Sequence, residues 1–211
     1  RSLFVPFQHI KHTRLVSDNN FAIHKSRLKI NLAYQNNQRK EYGNPEDVTE
    51  EELFFDLKTF NYNIQWQLPE MKEWHTSFGV NGMNQSNRNK AEEVLIPEYN
   101  LFDAGVFVYA QRFFKKATLS GGLRYDHRSV DSKAFADGAD VKFTAFKRTF
   151  SNISGSIGIS AEPSEKVTLK ANIARGFRAP TLAELGSNGA HEGTNRYEYG
   201  ERSLKSETSL Q

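Results

Sequence analysis

The 211-residue chain contains no cysteine, so neither a disulfide framework nor a thiolate metal site holds its fold together. It also lacks any apolar run near the ~18 residues that a membrane-crossing helix requires. Neither sign of charge dominates. Its 28 Lys and Arg stand against 25 Asp and Glu, scattered along the chain with no basic helix among them. That distribution gives nucleic acid no electrostatic footprint, so none is expected as a partner. Apolar residues make up only 37%, and mean hydropathy is -0.66, low for a packed soluble domain. What the chain does have is aromatic side chains, 16 Phe and 8 Tyr, which a disordered segment of this polarity would lack. Low hydropathy with many aromatics suits strands that turn every second side chain toward a polar space. A soluble β-sandwich shares this profile.

Side chains alternate between the two faces of a strand, so apolar residues on a half-buried strand keep one parity. Leu28, Ile30, Leu32 and Tyr34 do so against Lys29, Asn31 and Gln35. Phe60, Tyr62, Ile64 and Trp66 oppose Thr59, Asn61, Asn63 and Gln65, and Trp74, Phe78 and Val80 oppose His75, Ser77 and Asn81. The alternation returns at 117–126, 153–161 and 167–174, whereas 7–23 and 102–113 carry apolar residues on both parities. Each strand is predicted at about 9–11 residues, enough for a tilted crossing of the hydrocarbon.

The connections alternate as strictly as the side chains. Short polar turns fall at His24-Lys25-Ser26, Pro69 to Lys72, Lys115-Lys116 and Glu162 to Lys166, with long polar loops predicted at 37–55, 85–100, 128–144 and 179–204. Short turns at one end and long loops at the other are the pattern of a transmembrane barrel with periplasmic turns and extracellular loops. Trp66, Trp74, Phe113 and Phe114 gather by the short turns, and Tyr34, Tyr125, Phe146 and Phe150 by the long loops, predicting two interfacial belts. A sandwich explains the parity but neither the loop lengths nor the belts. A propeller also recurs every 40-odd residues, but with four short strands per period instead of two long ones. The expected fold is all-β, an antiparallel up-and-down transmembrane β-barrel.

The stretch Asn172-Ile173-Ala174-Arg175-Gly176-Phe177-Arg178-Ala179-Pro180, followed by Leu182-Ala183-Glu184-Leu185, resembles the "FRAP" box of TonB-dependent outer-membrane receptors. The segment from Ser187 through Leu204-Lys205-Ser206-Glu207 resembles the loop and strand start that follow it, without the two prolines and the Asn usual there. Gly121-Gly122-Leu123-Arg124-Tyr125-Asp126, Pro6 to Ile10 and Asn37 to Tyr42 are supporting matches. The resemblance implies a barrel of about 22 strands closed by an N-terminal plug. This sequence shows eight strands and the start of a ninth after Leu204, with no plug, no TonB box and no terminal strand ending in Phe. Residues 1–211 are therefore expected to be part of such a barrel domain, with the plug outside this sequence.

The resemblance further implies energised uptake, without catalysis or a resident cofactor, in the outer membrane of a Gram-negative bacterium. The expected cargo is a ferric siderophore or other iron chelate, with haem as the alternative. The expected partners are outer-membrane lipid, the small nutrient itself, and TonB acting through the plug. Parity places Arg27, Lys29, Asn61, Asn63, Gln65, His75, Asn81, Arg124, Asp126, Lys170, Asn172 and Arg178 toward the lumen, where the cations suit an anionic chelate. Candidate ligand contacts are Arg124 and Arg178 in the wall and His191, Glu192, Arg196 and Tyr197 in the loop after the FRAP-like box. His191 is a metal ligand only if haem is the cargo; no other metal site is expected. His9 and His12, three residues apart in a strand, fall on opposite faces and cannot share an ion. No nucleophile, base and orienting group come together for hydrolysis. The competing readings are a small self-contained outer-membrane barrel acting as enzyme or adhesin, and a soluble β-sandwich binding domain.

Overall fold

The computed structural model describes Phe4, residues 6–191 and residues 196–211. Nine strands form one antiparallel sheet: β1 (Phe7–Ile23), β2 (Ser26–Tyr42), β3 (Leu53–Gln67), β4 (Trp74–Asn89), β5 (Tyr99–Phe114), β6 (Ala117–Ser132), β9 (Phe146–Ser164), β10 (Val167–Arg178) and β13 (Glu207–Leu210). Between them, β7 (Phe135–Asp137) and β8 (Asp140–Phe143) make a small hairpin. The segment after β10 holds the short helix α1 (Leu182–Gly186) and a second hairpin of β11 (Asn188–His191) and β12 (Arg196–Tyr199).

Register follows from the alternation. Ile30, Ile64, Val80, Val106, Tyr125 and Ile153 pair in succession across six strands and form one outward row. The neighbouring residues Asn31, Asn63, Asn81, Gly105, Asp126 and Asn152 form an inward row in the same order. A slip of one residue in any pair would exchange the two rows, which fixes the pairing. The outward face stays bare. Leu123, Ile153 and Ile173 are 62%, 58% and 62% exposed, amid a continuous apolar band. Water does not tolerate such a band on a monomer, but lipid does. No second sheet packs on it among the described residues, which separates this fold from a sandwich.

Several expectations need correction. The long strands from β1 to β10 run 12 to 19 residues, beyond the 9–11 expected. Their backbone ladders continue past the hydrocarbon because each N–H and C=O keeps a neighbour there. Much of the sequence assigned to long loops is therefore strand. Phe146 and Phe150 do not belong to an outer belt. They face inward, Phe150 being buried, and both pack in the core under α1. Phe113 also faces inward and meets the His75 ring edge-on at 5.1 Å. The mixed parity of 102–113 has a physical cause. β5 sends Val106 and Val108 outward but Phe107 and Tyr109 inward, and the Phe107 ring occupies the place where a Cβ on Gly79 would lie, 2.8 Å away.

The buried core is small and sits inside the sheet at its long-loop end. Tyr99, Leu101 and Val130 meet Leu182, with Leu57, Met83, Ile96 and Phe146 around them. Phe150 and Ala179 meet Leu185, which has no exposed surface. These contacts fold α1 back over the inner face, above the polar row.

Candidate functional site

The inner face below this core is a groove of about 650 Å³, and inward parity puts its polar lining there. Arg124 is held on two sides. Its Nε donates to both carboxylate oxygens of Asp126 at 2.7 Å, and Nη2 donates to Asn81 Oδ1 at 2.6 Å. The guanidinium can lie flat because Gly105, opposite Asp126, has no side chain; a Cβ there would collide with Arg124 Nη2. One turn of the alternation further up, Arg128 Nε and Nη2 donate to the two oxygens of Asp103, each at 2.7 Å. This parallel pair is the strong form of an arginine–carboxylate contact. Asn63 donates to Asn31 at 3.1 Å, and Asn31 donates to Asp18 at 2.7 Å, extending the chain of polar contacts to β1.

Two groove arginines are thus neutralised by carboxylates. Others are not. Arg14 lines the groove, and Arg27, Lys29 and Lys170 share its inward parity; none has an ion-pair partner among the described residues. The inner face therefore carries free cations beside fixed amides. That arrangement attracts anions and offers hydrogen bonds to oxygen-rich ligands.

Arg178 borders the groove but acts as a clamp. Its Nη1 donates to both oxygens of Glu184 at 2.9 and 2.8 Å, while Nε and Nη2 donate to Glu207 at 3.1 and 2.9 Å. It thereby ties α1 to β13. Thr181 caps the helix: its hydroxyl accepts from Glu184 N at 3.3 Å, and Glu184 accepts from Thr181 N at 2.7 Å. The Arg178 hydrogen bonds, seconded by those from Thr181, lower the Glu184 carboxyl to about 2. A depressed carboxyl stabilises the folded state above its unfolded value, near 4.5, and loses that contribution as pH falls toward 2. Limited proteolysis of the loop between β10 and β13 is therefore expected to stay slow at pH 5 and to accelerate only below about pH 4. Early acceleration near pH 6 would exclude the clamp as the controlling contact.

The loop candidates lie apart from this clamp. His191 pairs with Arg196, and Ala190 with Tyr197, across the β11–β12 hairpin. Glu192 lies outside the described residues. Tyr197 donates its hydroxyl to Asn188 Oδ1 at 2.8 Å, and its ring lies 4.7 Å from that of Tyr199, tilted by 38°, with Tyr199 79% exposed. Asn188 in turn donates to Lys142 O at 2.9 Å, mooring the hairpin to the strand β8. The structure thus brings Arg124 and Arg178 to one groove and gathers residues 191, 196 and 197 on a separate hairpin. Sequence reasoning missed the Asp103–Arg128 pair, having assigned residue 128 to a loop. The signal was present: Arg124, Asp126 and Arg128 continue one parity without a break. His12 faces inward, 3.2 Å from Asn37, and His9 faces away. No group of three metal-binding side chains occurs among the described residues.

Residues 7–211 match the family model described as TonB dependent receptor-like, beta-barrel. No curated protein matches the sequence. Among solved structures, the Serratia marcescens hemophore receptor HasR, in complex with its hemophore HasA and heme, superposes at a TM-score of 0.75 and 15% identity. That match covers 97% of this chain and 36% of HasR. The FrpB iron transporter of Neisseria meningitidis gives 0.67 at 17% identity, over 84% of this chain and 30% of its own. The ferric yersiniabactin uptake receptor FyuA of Yersinia pestis gives 0.55 at 9% identity, over 86% and 31%. The chain thus spans about a third of the length of the structures it matches.

Proposed function

Since the chain belongs to the β-barrel family of TonB-dependent receptors, an outer-membrane family of receptors and not of enzymes, we propose that it forms part of the wall of an active importer for an anionic iron chelate. The whole receptor would hold its cargo between the extracellular loops and the inner face, and TonB would act on it through a plug domain. The observation that carries this reading is the inner face itself. Arg14 lines the groove with the amides of Asn31, Asn63 and Asn81, and the free cations Arg27, Lys29 and Lys170 lie on the same inner face toward the short turns, the chemistry an oxygen-rich ferric chelate needs. The names of the HasR, FrpB and FyuA structures speak of heme, iron and ferric yersiniabactin, in keeping with iron as the cargo element, while the copper transporter OprC shares the same fold at a TM-score of 0.69. Arg124, Arg178, His191, Glu192, Arg196 and Tyr197 are proposed to border the cargo's path, with Arg178 shaping its mouth through the clamp.

The test is titration of the complete receptor with a panel of ferric catecholate, hydroxamate and phenolate siderophores. At least one is expected to bind with an affinity that falls as salt rises and falls again in the Arg14→Gln, Lys29→Gln double variant. Absence of binding across the panel would overturn the siderophore reading. Haem is the second reading, favoured by the position of His191 in the loop after the FRAP-like box. Its mark would be a Soret shift on adding haem that disappears in His191→Ala.

A further inference from the structure

The short-turn end carries an arginine where lipid should be. Arg112 has outward parity, pairing with Trp74 on β4 and Leu119 on β6, two residues before the end of β5. A cation facing hydrocarbon is costly unless its head reaches the interface. The centre of its guanidinium lies 4.8 Å from the Phe114 ring and 5.8 Å from that of Trp74, an aromatic frame on two sides. Its Nε is buried without a hydrogen-bond partner. Its one ion-pair partner among the described residues, Glu73, stands 3.6 Å from Nη2 and is itself 61% exposed, a loose contact. Directly after β5 come Lys115 and Lys116, and the adjacent turn holds Lys72; none of these lysines has an ion-pair partner among the described residues.

The backbone adds a second observation. Lys72 and Glu73 both have positive φ, 50° and 65°, in a two-residue turn closed by the Met71 and Trp74 hydrogen bonds of 3.2 and 3.0 Å. Such turns ordinarily take Asn and Gly, and L side chains rarely occupy them. Strain of this kind persists where surrounding contacts hold it, and it concentrates at binding sites. Here the turn sets a lysine and a glutamate at the rim beside Arg112.

We propose that Arg112, framed by Trp74 and Phe114 and flanked by Lys115 and Lys116, binds the phosphodiester of an anionic phospholipid in the periplasmic leaflet. The rings lie against the glycerol and upper acyl chains, the guanidinium takes two phosphate oxygens, and the lysines add attraction from the water side. Glu73 competes with the lipid for the same guanidinium. The assignment rests on the membrane placement of the barrel and not on the cargo, so its failure leaves the transport reading untouched.

Native mass spectrometry of the complete receptor in detergent, supplied with equal dioleoylphosphatidylglycerol and dioleoylphosphatidylcholine, tests this. The wild type is expected to retain phosphatidylglycerol preferentially, and retention to fall about five-fold for each cation removed in Arg112→Gln and in Lys115→Gln, Lys116→Gln. Glu73→Gln is expected to raise retention, which a merely structural Arg112–Glu73 contact would not do. Equal retention of the two lipids by the wild type overturns the proposal, as does a preference unchanged in the triple variant. If Arg112→Gln fails to fold, judged by heat-modifiable migration on gels, the lysine pair and Glu73→Gln decide the matter alone.

Discussion

Leu185→Asp in the complete receptor is expected to release the cap over the inner face while leaving the barrel assembled. Leu185 has no exposed surface and touches Phe150 and Ala179, with Phe146 and Phe177 around them. Truncating such a leucine to Ala costs about 2–5 kcal/mol, and an unpaired buried carboxylate costs more. The five-residue helix α1 cannot meet that loss alone, since so short a helix is held by its packing and its cap. The loss is therefore local. Limited proteolysis should cut between β10 and β13 within the time that leaves the wild type intact, while gel mobility of the unheated barrel stays unchanged. Cargo affinity should fall with it. Leu185→Met, nearly equal in volume, should behave as wild type. Resistance to protease in Leu185→Asp would show that the cap does not depend on this contact.

Arg128→Ala is the second large effect, and it acts in the wall. Arg128 and Asp103 face each other across β6 and β5 with side chains only 25% and 22% exposed. Removing the arginine leaves a largely desolvated carboxylate unpaired on the inner face, for a cost of about 2–3 kcal/mol after allowing for the partial hydration. The measurement is the urea midpoint of the detergent-solubilised receptor. Replacing both partners together, as Arg128→Leu with Asp103→Leu, should recover most of the loss, because no uncompensated charge is left in the wall. A double variant as unstable as Arg128→Ala would mean that the pair contributes through packing and not through charge.

The strands were legible because lipid and lumen impose opposite demands on alternate residues. Leu28 to Tyr34 and Phe60 to Trp66 therefore declare their face in the sequence. The inner row of Asn31, Asn63, Asn81 and Asp126 was legible for the same reason. What stayed hidden lies where both faces leave that regime. Above the hydrocarbon, Phe146, Phe150, Tyr99 and Leu101 turn inward to bury the folded loop, so their parity no longer reports lipid. Phe107 is apolar and inward because Gly79, its cross-strand partner on β4, makes room for it, a pairing between residues that no local sequence signal connects. The clamp at Arg178 joins residues on three elements, and the capping box of Thr181 and Glu184 that braces it went unread in a stretch assigned to a loop. Nothing local tells Arg178 that Glu207 will stand beside it.

The order of the sheet has a consequence for how such a wall changes over time. From β1 to β6 every strand pairs only with its neighbours in the chain, and where small hairpins intervene, β6 still meets β9 and β10 still meets β13. Among the described residues no crossover strand joins distant parts of the sheet. Duplicating or deleting one hairpin therefore alters circumference by two strands and leaves every other register intact. Excursions such as β7–β8 can lengthen, shorten or vanish without disturbing the row that runs from Asn31 to Asn152. The architecture thus keeps the pairing of the wall independent of the length of the excursions at its long-loop end.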